Sequence, residues 1–529
     1  MGNEFINALT ASDTLTENGA VSNSSTGDIL VDQFGSVSGY NGRQIDNVFS
    51  NQEELWVEND LKSLQFIFYL RAISRESNIL IEGEDKGTMP QKGQGLRDEV
   101  FKRLLWVAEN HPKTFYANIA LLPMVGSWKD IWELMWYDIN LNVNALDEEK
   151  MFALIASGLA MEKTCDLVKK YLPSMVAIKK QSTWRSRTMN VLARKFMRYM
   201  GWNHKEYRKF KTSGNAHDFQ KYISQKMYDA INWSHIPGKA MTKLVASKFI
   251  TKQNLLESYE KWLDKQDTIK YNGYAYELGY ILNHNKLYKH QKNTLNKQFD
   301  NLIQNVKKNT SFKENVWCAL DTSGSMTWKY NNSNVTPYDV CSSLGVFFST
   351  LNEGAFHKQV IMFDTTSYVK QLRGDFCQMM RQLPKNAMGG TNFLSVVKRI
   401  VKIRKDNPSI PLEDYPTTLL VVSDMQFNAT GGVDTNYEHC KTMLLEVFPQ
   451  EFVDNFKFVW WNVATTTRDF PSRINDGGTF LLSGFDGSVI SLLLGEELTE
   501  KTKKKPQTMQ ELVDVALSQE VFSLLKIVK

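Results

Sequence analysis

Val316-Trp317-Cys318-Ala319-Leu320-Asp321-Thr322-Ser323-Gly324-Ser325 decides the fold class of this chain. An apolar run with strand character ends in a carboxylate, and two hydroxyls follow it at spacings of two and four as the chain enters a loop. Carboxylate and hydroxyl oxygens suit a hard divalent cation, Mg²⁺ or a relative, and suit zinc poorly. Two stretches downstream repeat the context. Gly389-Gly390-Thr391 opens the helical pattern Phe393, Val396, Val397, Ile400, Val401, and Asp424 ends a second apolar run, Leu419-Leu420-Val421-Val422-Ser423. In an open α/β sheet, loops at the carboxyl ends of neighbouring strands converge on one crevice. A single such fragment reads as an Asx-turn after a strand. Three oxygen-bearing fragments, each at a strand end or helix start, point instead to one metal site.

Asp321, Ser323, Ser325, Thr391 and Asp424 match in full the DxSxS…T…D pattern of the metal-ion-dependent adhesion site, and this region resembles a von Willebrand factor A (vWA) domain. The resemblance implies that both serine hydroxyls and Thr391 coordinate Mg²⁺ directly or through water, while the two aspartates balance its charge. It also implies one open position for an acidic partner group. Neutral hydroxyl ligands leave the ion electropositive, so it still attracts a carboxylate or phosphate from outside.

Enzymatic readings of the same residues fare worse. An aspartyl-phosphate phosphatase would carry a second carboxylate where Ser323 stands. A serine hydrolase would show the G-x-S-x-G elbow, and the chain has none, nor a P-loop, nor HExxH. The expected protein is not an enzyme, with a metal-dependent phosphoesterase as the surviving catalytic alternative.

The 529 residues suggest two to four domains with ample core. At 42% hydrophobic and 23% charged, the composition is that of an ordinary globular protein. No apolar run approaches the roughly 18 residues of a membrane span. The start, Met1-Gly2-Asn3-Glu4-Phe5-Ile6, lacks a signal-peptide core and a myristoylation signal, so a cytoplasmic protein without membrane contact is expected. Cys165, Cys318, Cys341, Cys377 and Cys440 are scattered and form no CxxC, which predicts buried free thiols.

Net charge is +5, but residues 161–250 hold 19 Lys and Arg against 5 Asp and Glu, a local +14 that leaves −9 for the remainder. A basic segment inside an acidic protein points to an anionic partner, nucleic acid first. Lys179, Lys180, Arg185, Arg187, Arg194, Lys195, Arg198, Lys205, Arg208, Lys209 and Lys211 lie near Trp184, Tyr199, Trp202 and Tyr207. Cations steer phosphates, and aromatic faces stack on unpaired bases. The competing reading makes the aromatic residues core and the charges a solvated helix face.

Four regions follow from the patterning. Residues 1–50, rich in Ser, Asn, Gly, Thr and Asp, read as an extended arm that orders only by packing on the rest. Residues 51–311 read as short helices stacked in HEAT-like hairpins, with a loop or insertion at 79–95 and a helix starting at Ser127 with Asp130 in the capping-box position. Residues 312–500 alternate strand and helix as a doubly wound α/β domain. Strands are expected at 316–321, 358–364, 417–424, 455–464 and 478–483, and helices at 337–352, 374–384, 391–405, 436–449 and 487–495. In residues 501–529 a basic tag, Lys501 to Lys505, leads to a last amphipathic helix around 508–526 that either docks back on the helical domain, the commoner arrangement, or binds a partner.

A helical repeat domain followed by a vWA domain resembles the Ro/TROVE class of RNA-binding proteins. More closely, the chain resembles an uncharacterised vWA-bearing family of viruses, fungi, plants and bacteria. The matching residues are Leu15-Thr16-Glu17-Asn18-Gly19-Ala20, Ala108-Glu109-Asn110-His111-Pro112, Gly126-Ser127-Trp128-Lys129-Asp130, Lys205-Glu206-Tyr207-Arg208-Lys209 and Ser483-Gly484-Phe485-Asp486. The resemblance implies a curved helical solenoid binding structured or single-stranded small noncoding RNA, with an acidic protein ligand at the metal site. The alternative is a scaffold that engages a partner ATPase or a virion component through the metal site without RNA.

Overall fold

The computed structural model describes the chain except residues 1–13, 38, 41, 82–83, 176–182, 214–217, 310–314, 331–332, 385–387, 430–434, 465–468 and 486–505. It is helical in its N-terminal part and carries a mixed six-stranded sheet towards the C-terminus. The chain divides into two compact units. One combines Met1–Asn41 with Pro237–Val515, the other Gly42–Ile236 with Ala516–Lys529.

The first unit is built on six strands, β1 (Val316–Asp321), β2 (Gln359–Phe363), β3 (Ser367–Gln371), β4 (Thr418–Ser423), β5 (Lys457–Asn462) and β6 (Thr479–Ser483). Their spatial order is β6-β5-β4-β1-β2-β3. All neighbours are parallel except β3, which returns antiparallel beside β2. Every residue of β1 and β4 is buried, the signature of central parallel strands covered on both faces. Their register sets the site: Leu320 lies opposite Val422, so Asp321 and the Ser423-Asp424 end arrive abreast. From β1 the chain first builds outward through β2 and β3, then crosses to β4 on the other flank. A ligand crevice is expected at such a switch point, outside the carboxyl ends of the strands.

Strand β3 was not foreseen in the sequence. Ser367-Tyr368-Val369-Lys370-Gln371 is an edge strand with mixed exposure and lacks the apolar run that marks its neighbours. The arm also departs from expectation. Thr14–Leu15 pairs with Val21–Ser22, and a helix, Ile29–Ser36, packs beside β6, where Ser483 Oγ donates to Phe34 O at 2.7 Å. Its polar composition hid this order because the polar groups are themselves buried and bonded. Thr26 Oγ1, for example, donates to Asp32 Oδ1. The expected boundary near 311 is likewise displaced. Helices Ala275–His284 and Lys289–Asn309 belong to the sheet's unit, where Asn296 Oδ1 accepts from Cys377 N at 3.0 Å.

The second unit holds helices from Ile45–Glu58 to Asp218–Ser224 and the last residues of the chain. Much of the stretch read as a loop or insertion is strand: Arg75–Ile81 and Glu84–Gln91 pair antiparallel, concealed by their exposed, charged and Gly-containing sequence. The helix expected at Ser127 begins at Lys129, and Asp130 Oδ2 accepts from Ser127 N at 2.8 Å. The final amphipathic segment is a helix, Met509–Leu517, followed by a 3₁₀ turn, Glu520–Leu524. Within the helical unit Gln519 Nε2 donates to Lys92 O, and Lys526 N donates to Asn118 Oδ1. The helix expected at 487–495 and the tag Lys501 to Lys505 lie outside the described residues. No helix of the described residues is long and apolar enough to cross a membrane.

Candidate metal centre and basic face

The crevice at the carboxyl ends of β1 and β4 gathers the predicted oxygen ligands through a short set of bonds. Asp321 Oδ1 accepts from Ser323 N at 2.8 Å, which curls the DxSxS loop back over the strand end. Ser323 Oγ and Ser325 Oγ lie 3.3 Å apart. The Ser325 side chain favours the ionised form of Asp424, and Asp424 is close enough to Asp321 to disfavour its ionised form. Thr391 reaches the same rim through the backbone. Gly324 N donates to Gly389 O at 3.3 Å, while Thr391 O accepts from Asn428 N at 2.9 Å on the loop after β4. Gly389 needs its missing side chain here: its φ is +93°, and a Cβ would stand 2.9 Å from Thr365 Oγ1.

Burial dominates the electrostatics. Asp321 is fully enclosed and its pKa is pushed up to about 7, by desolvation first and by the Asp424 charge second, against hydrogen bonds from Ser423 and Ser323. Asp424 is raised for the same leading reason, with Glu17 adding a like charge and Ser325 opposing. Asp424 Oδ2 is buried and has no hydrogen-bond partner. Two buried carboxylates, one with an orphaned oxygen, beside two hydroxyls form a donor set for a hard cation, which would reverse the electrostatic penalty on both acids. Among the described residues no group of three or more His, Cys, Asp and Glu side chains could hold a metal. Any ion here therefore leans on hydroxyl oxygens.

Sequence reasoning missed several residues that shape this crevice. Ser423 Oγ donates to Asp321 Oδ2 and accepts from Met425 N at 3.0 Å. Met425 sits at φ +65°, a left-handed conformation uncommon for a non-glycine residue, directly after Asp424. Gln426 and Asn428 fix the loop from the outside. A strand-terminal serine and a left-handed methionine carry no motif of their own, so only the register could expose them.

The basic segment divides sharply. Lys179 and Lys180 lie outside the described residues. Lys211 Nζ donates to Leu172 O and Ser174 Oγ, and burial lowers its pKa, so it ties the fold together rather than facing a ligand. Arg185 pairs with Glu133 and lies over the Trp136 ring, and Lys195 pairs with Glu148 at 2.7 Å. Tyr207 is core, its hydroxyl donating to Pro173 O, and Trp202 packs on Phe210. What remains is ordered. Helix Trp184–Tyr199 presents Trp184, Arg187, Val191, Arg194 and Arg198 at alternating spacings of three and four, all exposed along one face. Trp184 is 58% and Val191 48% exposed. Arg194, Arg198, Lys205, Arg208 and Lys209 make no ion pair with any described residue, and all five are exposed.

Comparison with known proteins places the chain only in part. A family model described as a domain of unknown function (DUF7788) matches residues 316–528. A second domain of unknown function (DUF2828) matches residues 16–157. No curated protein matches the chain. Among solved structures the chain is similar to the Ro (RSR) protein of Deinococcus radiodurans, at 14% identity and a TM-score of 0.36, covering 90% of this chain and 99% of that one.

Proposed function

We propose that the chain is a nonenzymatic RNA-binding protein whose sheet unit is of vWA type and uses Mg²⁺ to recruit an acidic ligand. In this reading the helical unit is a HEAT-like stack that offers RNA the exposed face of helix Trp184–Tyr199. That face is the observation that carries the RNA half. Arg194 and Arg198, one turn apart and without an ion pair among the described residues, match a phosphate track, and the exposed Trp184 indole on the same face gives a base a stacking surface. The substitution Arg194→Gln with Arg198→Gln tests it in filter binding with a single-stranded RNA across a salt series. Binding should weaken, and the salt slope should fall by about 1.4, roughly 0.7 for each cation removed. An unchanged slope refutes RNA binding at this face.

The orphaned Asp424 oxygen favours the metal half independently of RNA. It also keeps alive the second reading, a scaffold that binds a protein partner through the ion alone. A pull-down of the full chain with and without EDTA separates the two, because a metal-bridged protein is lost on chelation while RNA on the basic face is kept. The catalytic alternative, a metal-dependent phosphoesterase, lacks a second carboxylate at Ser323. It returns only if phosphate-ester turnover appears and Asp321→Ala abolishes it.

A further inference from the structure

A cleft lined by cations lies within the sheet's own unit. Helix Ala275–His284, the start of helix Lys289–Asn309, the N-terminal end of helix Pro337–Leu351 and the end of helix Phe376–Gln382 enclose a cleft of about 620 Å³. That volume falls within the usual range for small-molecule pockets. The cleft is lined by three cations, Lys286, Lys292 and Arg381, and by His284, against one carboxylate, Asp339.

None of the three cations has an ion pair among the described residues. Asp339 makes no ion pair with any of the three; its oxygens are engaged elsewhere. Its carboxylate accepts from Asn283 Nδ2 at 3.2 Å and from Thr336 N and Oγ1, both at 3.0 Å, and lies 3.1 Å from His284 Nε2. The cleft is therefore a preformed concavity with surplus positive charge and fixed walls. Cys377 Sγ donates to Lys292 O, so the helix bearing Arg381 is held against the helix bearing Lys292. Aromatic surface adjoins the cations. The Tyr280 ring stacks on His284 with centroids 4.3 Å apart, and Trp328, next to the lining residue Thr327, is 58% exposed.

We propose that this cleft binds a phosphorylated nucleoside, with Lys286, Lys292 and Arg381 on the phosphate and the Tyr280–His284 stack beside the base. A fork-shaped guanidinium and two ammonium groups suit phosphate oxygens, and a ring edge in reach accounts for a nucleoside better than for a bare anion. The phosphate is either that of a free nucleotide or the 5′ end of an RNA strand. Thr327, two residues past Ser325, brings the cleft's edge to the DxSxS loop. The site goes beyond the RNA reading above, which rests on another helix in the other unit.

The test uses the full chain and three probes: a fluorescent ADP analogue, a labelled RNA octamer with a 5′-phosphate, and the same octamer without it. Wild type should bind ADP or the phosphorylated octamer. Changing Lys286, Lys292 and Arg381 together to Gln should weaken that binding by about tenfold or more, while Arg381→Lys, which keeps the charge, should retain most of it. The Arg194→Gln, Arg198→Gln variant should bind ADP like wild type, which keeps failure of this site distinct from failure of the basic face. ADP stronger than the octamer identifies a free nucleotide, and a requirement for the 5′-phosphate identifies an RNA end. The proposal is overturned if wild type binds no probe at millimolar concentration, if the triple variant binds as wild type does, or if an oligoglutamate peptide displaces the probe as well as unlabelled ADP.

Discussion

At the scale of single residues, Asp321 shows how far a site can be tuned against its own stability. A carboxyl group with a usual pKa of 3.8 stands at about 7 because it is buried beside Asp424. The sign of the consequence is fixed. Between those two values the folded protein holds a proton that the unfolded chain has lost, so stability of the metal-free protein falls as pH rises from about 4 to about 7 and levels off above. The accumulated loss is on the order of 2–4 kcal/mol for this group. Thermal melts of the EDTA-treated protein should show that decline. Asp321→Asn, nearly isosteric and neutral, should flatten it and raise Tm at pH 7.5 while abolishing any rise in Tm on adding Mg²⁺. A variant that keeps the wild-type slope would place the titration elsewhere, and one that keeps the Mg²⁺ response would remove Asp321 from the ion.

At the scale of elements, one buried ion pair organises the helical unit. Arg71 closes helix Asp60–Arg71 and Asp130 opens helix Lys129–Asn140; both side chains are wholly buried, with Nη2 to Oδ2 at 2.6 Å. The turn ahead of helix Lys129–Asn140 is shaped to the pair, since a Cβ at Gly126 would stand 2.3 Å from Asp130 Oδ2. The matched stretch from Gly126 to Asp130 therefore has a packing explanation and needs no ligand. Arg71→Met leaves the buried Asp130 carboxylate only the half-exposed Arg97, 3.3 Å away, and Ser127 N, and should cost about 3 kcal/mol in urea unfolding. The double substitution with Asp130→Leu should cost less than the two single changes together. A single-variant loss under about 1 kcal/mol would mean that Arg97 alone suffices to hold Asp130. Elements of this kind explain what was readable beforehand. β1 and β4 announce themselves as apolar runs, and the helices as periodic stripes. The hairpin at Arg75–Gln91 and edge strand β3 are half-exposed, so their sequences keep the polar residues that make a loop look like a loop.

At the scale of the whole molecule, what the sequence concealed is closure over distance. The residues of the candidate crevice could be placed from the sequence because each sits where a strand ends or a helix begins, and a motif records such positions. The basic segment was legible only as charge. Which cations face outward depends on partners such as Glu133, Glu148 and the Leu172 carbonyl, and no local pattern predicts those. The arm is the extreme case. Within the sheet's unit Thr16 Oγ1 donates to Phe427 O at 2.6 Å, Glu17 N to Gln426 Oε1 at 2.7 Å, Asn18 Nδ2 to Gln426 O at 2.6 Å, and Ala429 N to Asn18 O at 3.0 Å. Residues some 400 positions apart thus clamp the loop that follows Asp424 and holds Met425 in its left-handed turn. The clamp consists of a few hydrogen bonds made by a short terminal arm, so it opens before the sheet does. Deleting residues 1–23 should leave the sheet folded by circular dichroism, speed amide exchange across 424–429 relative to β1 and β4, and weaken Mg²⁺ binding several-fold in calorimetric titration. Replacing Thr16 and Asn18 by Ala should move both readouts the same way by a smaller amount. If exchange in 424–429 stays at its wild-type rate after the deletion, the arm is a passenger and the turn at Met425 is held from within the sheet alone.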